Sequence, residues 1–114
     1  MRSLVVIALV LAIASVALQG AAAAGECGRV SADRMAFRLA PCISSADDPE
    51  STPSSSCCSA VHTIGQSPSC LCAVMLSGTA RAAGIKPEVA MTIPKRCNIS
   101  DRPVGYKCGE YTLP

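Results

Sequence analysis

The apolar positions of this chain form one dense block at the start and then a series of stripes at helical spacing. The block, residues 4–18, follows the basic start Met1-Arg2, is broken by Ser15, and leads through Gln19 into Ala22-Ala23-Ala24. A basic start, a short apolar run and small residues for cleavage read as a secretory signal peptide. The run is too short and too interrupted for a membrane anchor. Residues 1-24 are therefore assigned to the signal and residues 25-114 to a single secreted domain. The closing Tyr111-Thr112-Leu113-Pro114 lacks the apolar tail of a lipid-anchor signal.

Beyond Gly25 the stripes predict four short helices and no convincing strand. Ser31 suits an N-cap, and Ala32, Met35, Ala36, Leu39 and Ile43 recur at helical spacing until Pro41 and Cys42 disturb the pattern. Residues 44–56, rich in Ser, Asp and Pro, carry no apolar stripe and are expected to form a loop. A second helix carries Cys57, Cys58, Val61 and Ile64 and stops near Gly65. Ser67 and Pro68 suit the N-cap and first position of a third, which runs through Leu71, Val74 and Met75 and ends at Gly78. Pro87 and Glu88 suit the first turn of a shorter fourth helix, with Ile85, Val89 and Ile93 in register and Pro94 as its end. From Cys97 onward the chain is expected to be extended and irregular.

Composition decides what must hold such helices together. Phe37 is the one phenylalanine, tryptophan is absent, and Tyr106 and Tyr111 are the two tyrosines. A domain of about 90 residues with so few large rings gains only modest stability from burial. The eight cysteines supply the remainder. They stand in the order C-x14-C-x14-CC-x11-C-x-C-x24-C-x10-C, at 27, 42, 57, 58, 70, 72, 97 and 108. An even count in an exported chain reads as a disulfide framework, here four bridges at about 2 to 5 kcal/mol each. Neighbours one or two positions apart on a helix point in different directions, so Cys57 and Cys58, and likewise Cys70 and Cys72, must each reach two different partners. Charge adds little: without Arg2 the ten basic residues become nine against eight acidic ones. That balance favours neither nucleic acid nor strong membrane attraction.

Four short amphipathic helices, an irregular tail and this cysteine order resemble the plant non-specific lipid-transfer proteins. The resemblance covers the whole mature chain and is carried by the double cysteine, the C-x-C element, and the runs Pro68-Ser69-Cys70-Leu71-Cys72 and Ile93-Pro94-Lys95-Arg96-Cys97-Asn98-Ile99. Within that family the chain looks most like the branch of the defective-in-induced-resistance protein, whose members also carry an apolar residue inside C-x-C. The resemblance implies an all-α fold stapled around an apolar cavity, with Cys27 joined to Cys70, Cys42 to Cys57, Cys58 to Cys97 and Cys72 to Cys108. A physical reason accompanies that pairing: Leu71 turned inward carries Cys70 and Cys72 outward on either side of it. One departure limits the likeness to the signalling branch. Pro49 and Pro53 are four apart, so the P-x-x-P spacing that suits readers of extended proline helices is missing.

Helices fastened covalently need not fill their centre, so an apolar cavity can persist and accept a ligand. Its expected wall consists of Leu39, Ile43, Val61, Ile64, Leu71, Val74, Met75, Ile85, Val89 and Ile93, with Val104 and Tyr106 from the tail. At roughly 0.8 kcal/mol per methylene, burying about fourteen of them gives on the order of 11 kcal/mol before ordering costs. Such binding requires no polar contact and predicts breadth of ligand choice. Lys95, Arg96, Arg102 and Lys107 flank Cys97 and Cys108 and are the expected contacts for a ligand headgroup or for anionic lipids. Arg81, placed in the loop after the third helix, is a lesser candidate.

Other chemistry is thin. His62 is the one histidine and is read as a surface or packing residue. No nucleophile has an identifiable base, since every cysteine is committed to a bridge. Metal binding through the CC and C-x-C elements would need free thiolates in a reducing compartment. The chain is thus read as a non-enzyme with no metal and no cofactor. Asn98-Ile99-Ser100 is a glycosylation sequon held beside a disulfide, and its occupancy is not expected.

The function these readings support is a secreted carrier of fatty acids or lysophospholipids in the cell-wall space, with a place in plant defence. A monomer is expected, with transient contact to membrane surfaces and none to nucleic acid. Inhibition of digestive hydrolases is the main alternative, because amylase and protease inhibitors share the cysteine order. It is disfavoured by the acidic 44–56 stretch, which offers no basic or aromatic anchor. Seed storage is disfavoured by a glutamine count of two, Gln19 and Gln66.

Overall fold

The computed structural model describes residues 25–114, so the assigned signal peptide, 1-24, lies outside the described residues. The first helical region is composite: α1 (Ala32–Met35), a 3-10 segment (Ala36–Cys42) and α2 (Ile43–Asp47) follow one another without a break. Pro41 accounts for the middle. It has no amide hydrogen, and its ring would strike the carbonyl four residues back in a regular α-helix. The chain tightens into 3-10 geometry instead of stopping, and residues 44–47, expected as loop, are helical.

Helix α3 (Ser55–Ile64) carries the double cysteine, and α4 (Pro68–Met75) carries the C-x-C element. Serine hydroxyls start both, and α1 as well: Ser31, Ser54 and Ser67 accept the amides of Arg34, Cys57 and Cys70. Each satisfies a donor that the first helical turn leaves without a partner. At the end of α3 a Cβ on Gly65 would lie 2.8 Å from the Val61 carbonyl of the same helix and 3.3 Å from Leu71 Cδ2 of α4.

Two breakers behave differently from expectation. Gly78 does not end the third helical region but begins α5 (Gly78–Ala82), because the buried Ser77 links the two. Its hydroxyl donates to the Val74 carbonyl at 2.7 Å and accepts the Ala80 amide at 3.1 Å. After α6 (Pro87–Ala90), Pro94 likewise sits in the first turn of α7 (Ile93–Arg96), where a missing amide hydrogen costs nothing. Asn98, at φ 57°, closes α7 in the left-handed conformation that helix ends favour.

The tail is more ordered than its sequence suggests. It folds into a hairpin of β1 (Lys107–Cys108) and β2 (Tyr111–Thr112), with Lys107 opposite Thr112, Cys108 opposite Tyr111 and Gly109 at φ 61° in the turn. Buried Leu113 extends it by accepting the Gly105 amide and donating to the Tyr106 carbonyl.

Four disulfides fasten these pieces: Cys27–Cys70, Cys42–Cys57, Cys58–Cys97 and Cys72–Cys108, with Cα separations from 4.7 to 5.5 Å. Helix α3 is thereby tied to the first helical region and to the end of α7, while α4 is tied to the N-terminal segment and the hairpin. Val61, Leu71, Val74, Met75 and Ile93 pack between them, none more than 2% exposed. Among the described residues the result is four helical regions with little strand, stapled by four bridges.

Candidate functional site: an apolar cleft

The 3-10 segment buries Leu39 and Cys42 and leaves Phe37, Ala40 and the adjoining Ile43 exposed. Facing it across a gap are Thr79, Ala80 and Ala83 of the α5 region, and Ile85. These residues other than Cys42, together with Ala36, line a cleft of about 200 Å³ in which Thr79 is the one polar side chain. The space exists because four of the nine lining residues are alanines, whose methyl groups cannot span the distance between the helices.

Polar contacts link the elements on either side of it. The Asp33 carboxylate accepts the Thr79 amide and hydroxyl, each at 2.9 Å, joining α1 to α5. Those two bonds hold the Asp33 carboxyl below the usual carboxylate range, because they favour its ionised form. Lys86 Nζ stands 3.5 Å from Asp47, the last residue of α2.

Two further cavities are less suited to an acyl chain. A more open groove of about 410 Å³ has Glu26, Arg38, Thr63, Gln66 and Ser67 among its lining residues, beside Met35, Ile64 and the Cys27–Cys70 bridge. A void of about 10 Å³ between Val61, Leu71, Pro94, Ile99 and the His62–Asp101 pair has room for about one water.

The predicted wall residues are therefore divided. Leu39, Ile43 and Ile85 line the cleft, Val61 and Leu71 border the small void, and Ile64 borders the groove. Val74, Met75 and Ile93 are fully buried among other side chains, and Val89 and Tyr106 are half-buried. Val104, expected on the wall, is 64% exposed and does not line the cleft. It lies between Pro103 and Gly105, where the chain turns into the hairpin, and its side chain is left outside.

The basic residues separate in the same way. Arg96, expected at a headgroup, donates to the carbonyls of Ser45, Asp48 and Ser51 and so fastens the 45–51 segment to α7. Arg102 donates to the Ile99 and Pro114 carbonyls. Both guanidinium groups thus serve the backbone, while Lys95 and Lys107 are exposed. Arg81 lies on α5, not in a loop, near Tyr111 of the hairpin. Partial desolvation, then Glu110 and Glu88, push that phenol up, and Arg81 opposes the rise. His62 lies on the surface with Nε2 3.2 Å from Asp101.

Sequence reasoning missed Phe37, Ala40, Thr79, Ala80 and Ala83. Phe37 and Ala40 fall off the inward stripe, and alanines carry too little hydrophobicity to mark a face. The available signal was the run of small residues at 77–83, too slight in volume to fill a helix–helix interface.

Comparisons with known proteins bear directly on this arrangement. A family model described as probable lipid transfer matches residues 6–108. The chain is 33% identical over 108 residues to non-specific lipid-transfer protein 3 from Oryza sativa, in both the indica and japonica subspecies, covering 87% of this chain and 84% of theirs. It is 34% identical over 109 residues to probable non-specific lipid-transfer protein 2 of Parietaria judaica, covering 88% of this chain and 78% of that one. No solved structure matches significantly. With the match to the family model spanning nearly the whole sequence, and with four bridges fastening a helical frame, the chain belongs to the plant lipid-transfer protein family.

Proposed function

We propose that the cleft between the first helical region and α5 receives the acyl chain of a fatty acid or lysophospholipid, and that the protein carries such lipids outside the cell. The observation that carries this reading is an almost wholly apolar gap, four of whose nine lining residues are alanines, beside a 3-10 segment that the Cys42–Cys57 bridge fastens to α3. A gap of this kind costs stability when empty and gains when an apolar chain fills it. Four bridges fit an oxidising, extracellular compartment, and the relatives' names speak of lipid transfer.

The cleft's volume of about 200 Å³ is below the roughly 300–1,000 Å³ of a full ligand site. It therefore accepts part of a chain as it stands and widens by separation of α5 from the 3-10 segment to accept the whole. With Thr79 the sole polar lining group, selectivity among acyl chains is low.

Displacement of a fluorescent fatty acid from the oxidised mature protein tests this. Palmitate and lysophosphatidylcholine are both expected to compete, and reduction with dithiothreitol is expected to abolish binding. Failure of both lipids to displace the probe, or undiminished binding by the reduced and unfolded chain, would overturn the proposal.

A further inference from the structure

The mouth of the cleft bears an apolar patch that folding does not account for. Phe37 is 70% exposed and Ile43 42%, and Ala40 and Ala83, which line the same opening, are exposed as well. Scattered exposed apolar residues need no explanation, but a contiguous patch marks an interaction surface. Residues 37, 40 and 43 recur every third position along one side of the helical region and border a single opening. In a chain with one phenylalanine, that ring stands in water at the entrance to its apolar cleft.

Cations flank the patch. Arg34 lies one turn before Phe37 on the same side, and Arg38 follows Phe37 and projects toward the neighbouring groove that it lines; both are exposed. Neither guanidinium makes an ion pair or hydrogen bond among the described residues, in contrast to Arg96 and Arg102. An aromatic ring and aliphatic side chains beside unpaired arginines is the composition of surfaces that lie in the headgroup layer of a bilayer. There the apolar groups enter the acyl boundary while the cations meet anionic headgroups.

We infer that this face docks on an anionic lipid surface, with Phe37 and Ile43 entering the headgroup region and Arg34 and Arg38 on its phosphates. Docked so, the cleft opens directly onto acyl chains, and a lipid passes between membrane and protein without crossing water. The inference rests on the reading of the cleft as the lipid site. It also reconciles a near-neutral mature chain with membrane contact, because the charge that matters is local and the contact is reversible.

The absence of tryptophan makes Phe37→Trp a single fluorescent reporter. On adding phosphatidylcholine vesicles containing phosphatidylglycerol, its emission is expected to shift blue and to be quenched by lipids brominated near the headgroup end of the chain. Val104→Trp, exposed to a similar degree but outside the cleft, is expected to keep its emission. The double variant Arg34→Glu, Arg38→Glu is expected to lose vesicle binding by about tenfold or more and to retain its affinity for a soluble fluorescent fatty acid. Unchanged emission from Phe37→Trp, equal shifts at both reporters, or undiminished vesicle binding after charge reversal would each overturn the docking surface. A Phe37→Trp shift that follows protein concentration instead of vesicles would make the patch a contact between copies and overturn it too. Should Phe37→Trp fail to fold, the charge-reversed variant decides alone. Docking retained without fatty-acid binding in the parent protein would support this surface while sinking the cleft as the lipid site.

Discussion

The two sides of helix-bearing structure in this protein are built on opposite rules. Between α3, α4 and α7, Val61, Leu71, Val74, Met75 and Ile93 are packed until almost no surface remains. Between the 3-10 segment and α5, alanines leave a gap and Phe37 stands outside it. The dense side needs its volume to hold the fold. On the open side Asp33 on Thr79 joins α1 to α5 and Lys86 meets Asp47, while Cys42–Cys57 fixes the 3-10 segment to α3, and none of these needs the gap filled. Aliphatic stripes therefore run through both sides, since Leu39, Ile43 and Ile85 line the gap, and what distinguishes the open side is its share of small residues.

Enlarging a side chain on each side breaks or sharpens that contrast. Val74→Trp should show the largest effect, a loss of about 1 to 3 kcal/mol of stability, because the packed side has no room for added volume. Lipid affinity per folded molecule should survive, and melting temperature with fatty-acid titration on one sample measures both. Preserved stability with lost binding would instead move the ligand into the dense side. Ala83→Trp should do the reverse, changing stability by no more than about 0.5 kcal/mol at a surface-facing position while lowering fatty-acid affinity about tenfold as the ring takes ligand space.

The smallest effect is expected from Asp33→Ala, which releases α5 from α1. A fall in melting temperature of about a degree or two is expected near neutral pH, with faster ligand entry in stopped-flow mixing. The sign of its pH dependence is fixed. Because the Asp33 carboxyl titrates lower in the folded chain than in the unfolded one, its contribution is full above the ordinary carboxylate range and is lost as pH falls through the folded value. The parent and the variant should therefore converge in stability in strong acid, and a gap that persists there would assign the contact no electrostatic part.

Much of the frame was legible in the sequence because it depends on local chemistry. Ser31 and Ser67 cap helices since a hydroxyl at that position meets an amide two or three residues on, whatever the rest of the molecule does. Gly78 and Pro94 were misread for a related reason: both residues stop a helix interior yet suit a first turn, and only the Ser77 bonds and the turn at Thr92 decide which applies. The hairpin was hidden because strands of two residues carry no periodicity. The cleft was hidden because its defining property is missing volume, and Arg96 looked like a free cation because the carbonyls it holds come from residues 45 to 51 far back in the chain.

The bridge order also has a topological consequence. The spans 27–70, 58–97 and 72–108 overlap, so every peptide bond between Cys27 and Cys108 lies inside at least one covalent ring. A protease that nicks the chain once anywhere in that interval opens a ring without freeing a fragment. The severed strand ends stay tethered at their partners, and the nicked molecule keeps its mass until it is reduced. Backbone scission and loss of the particle thus become separate events for this chain.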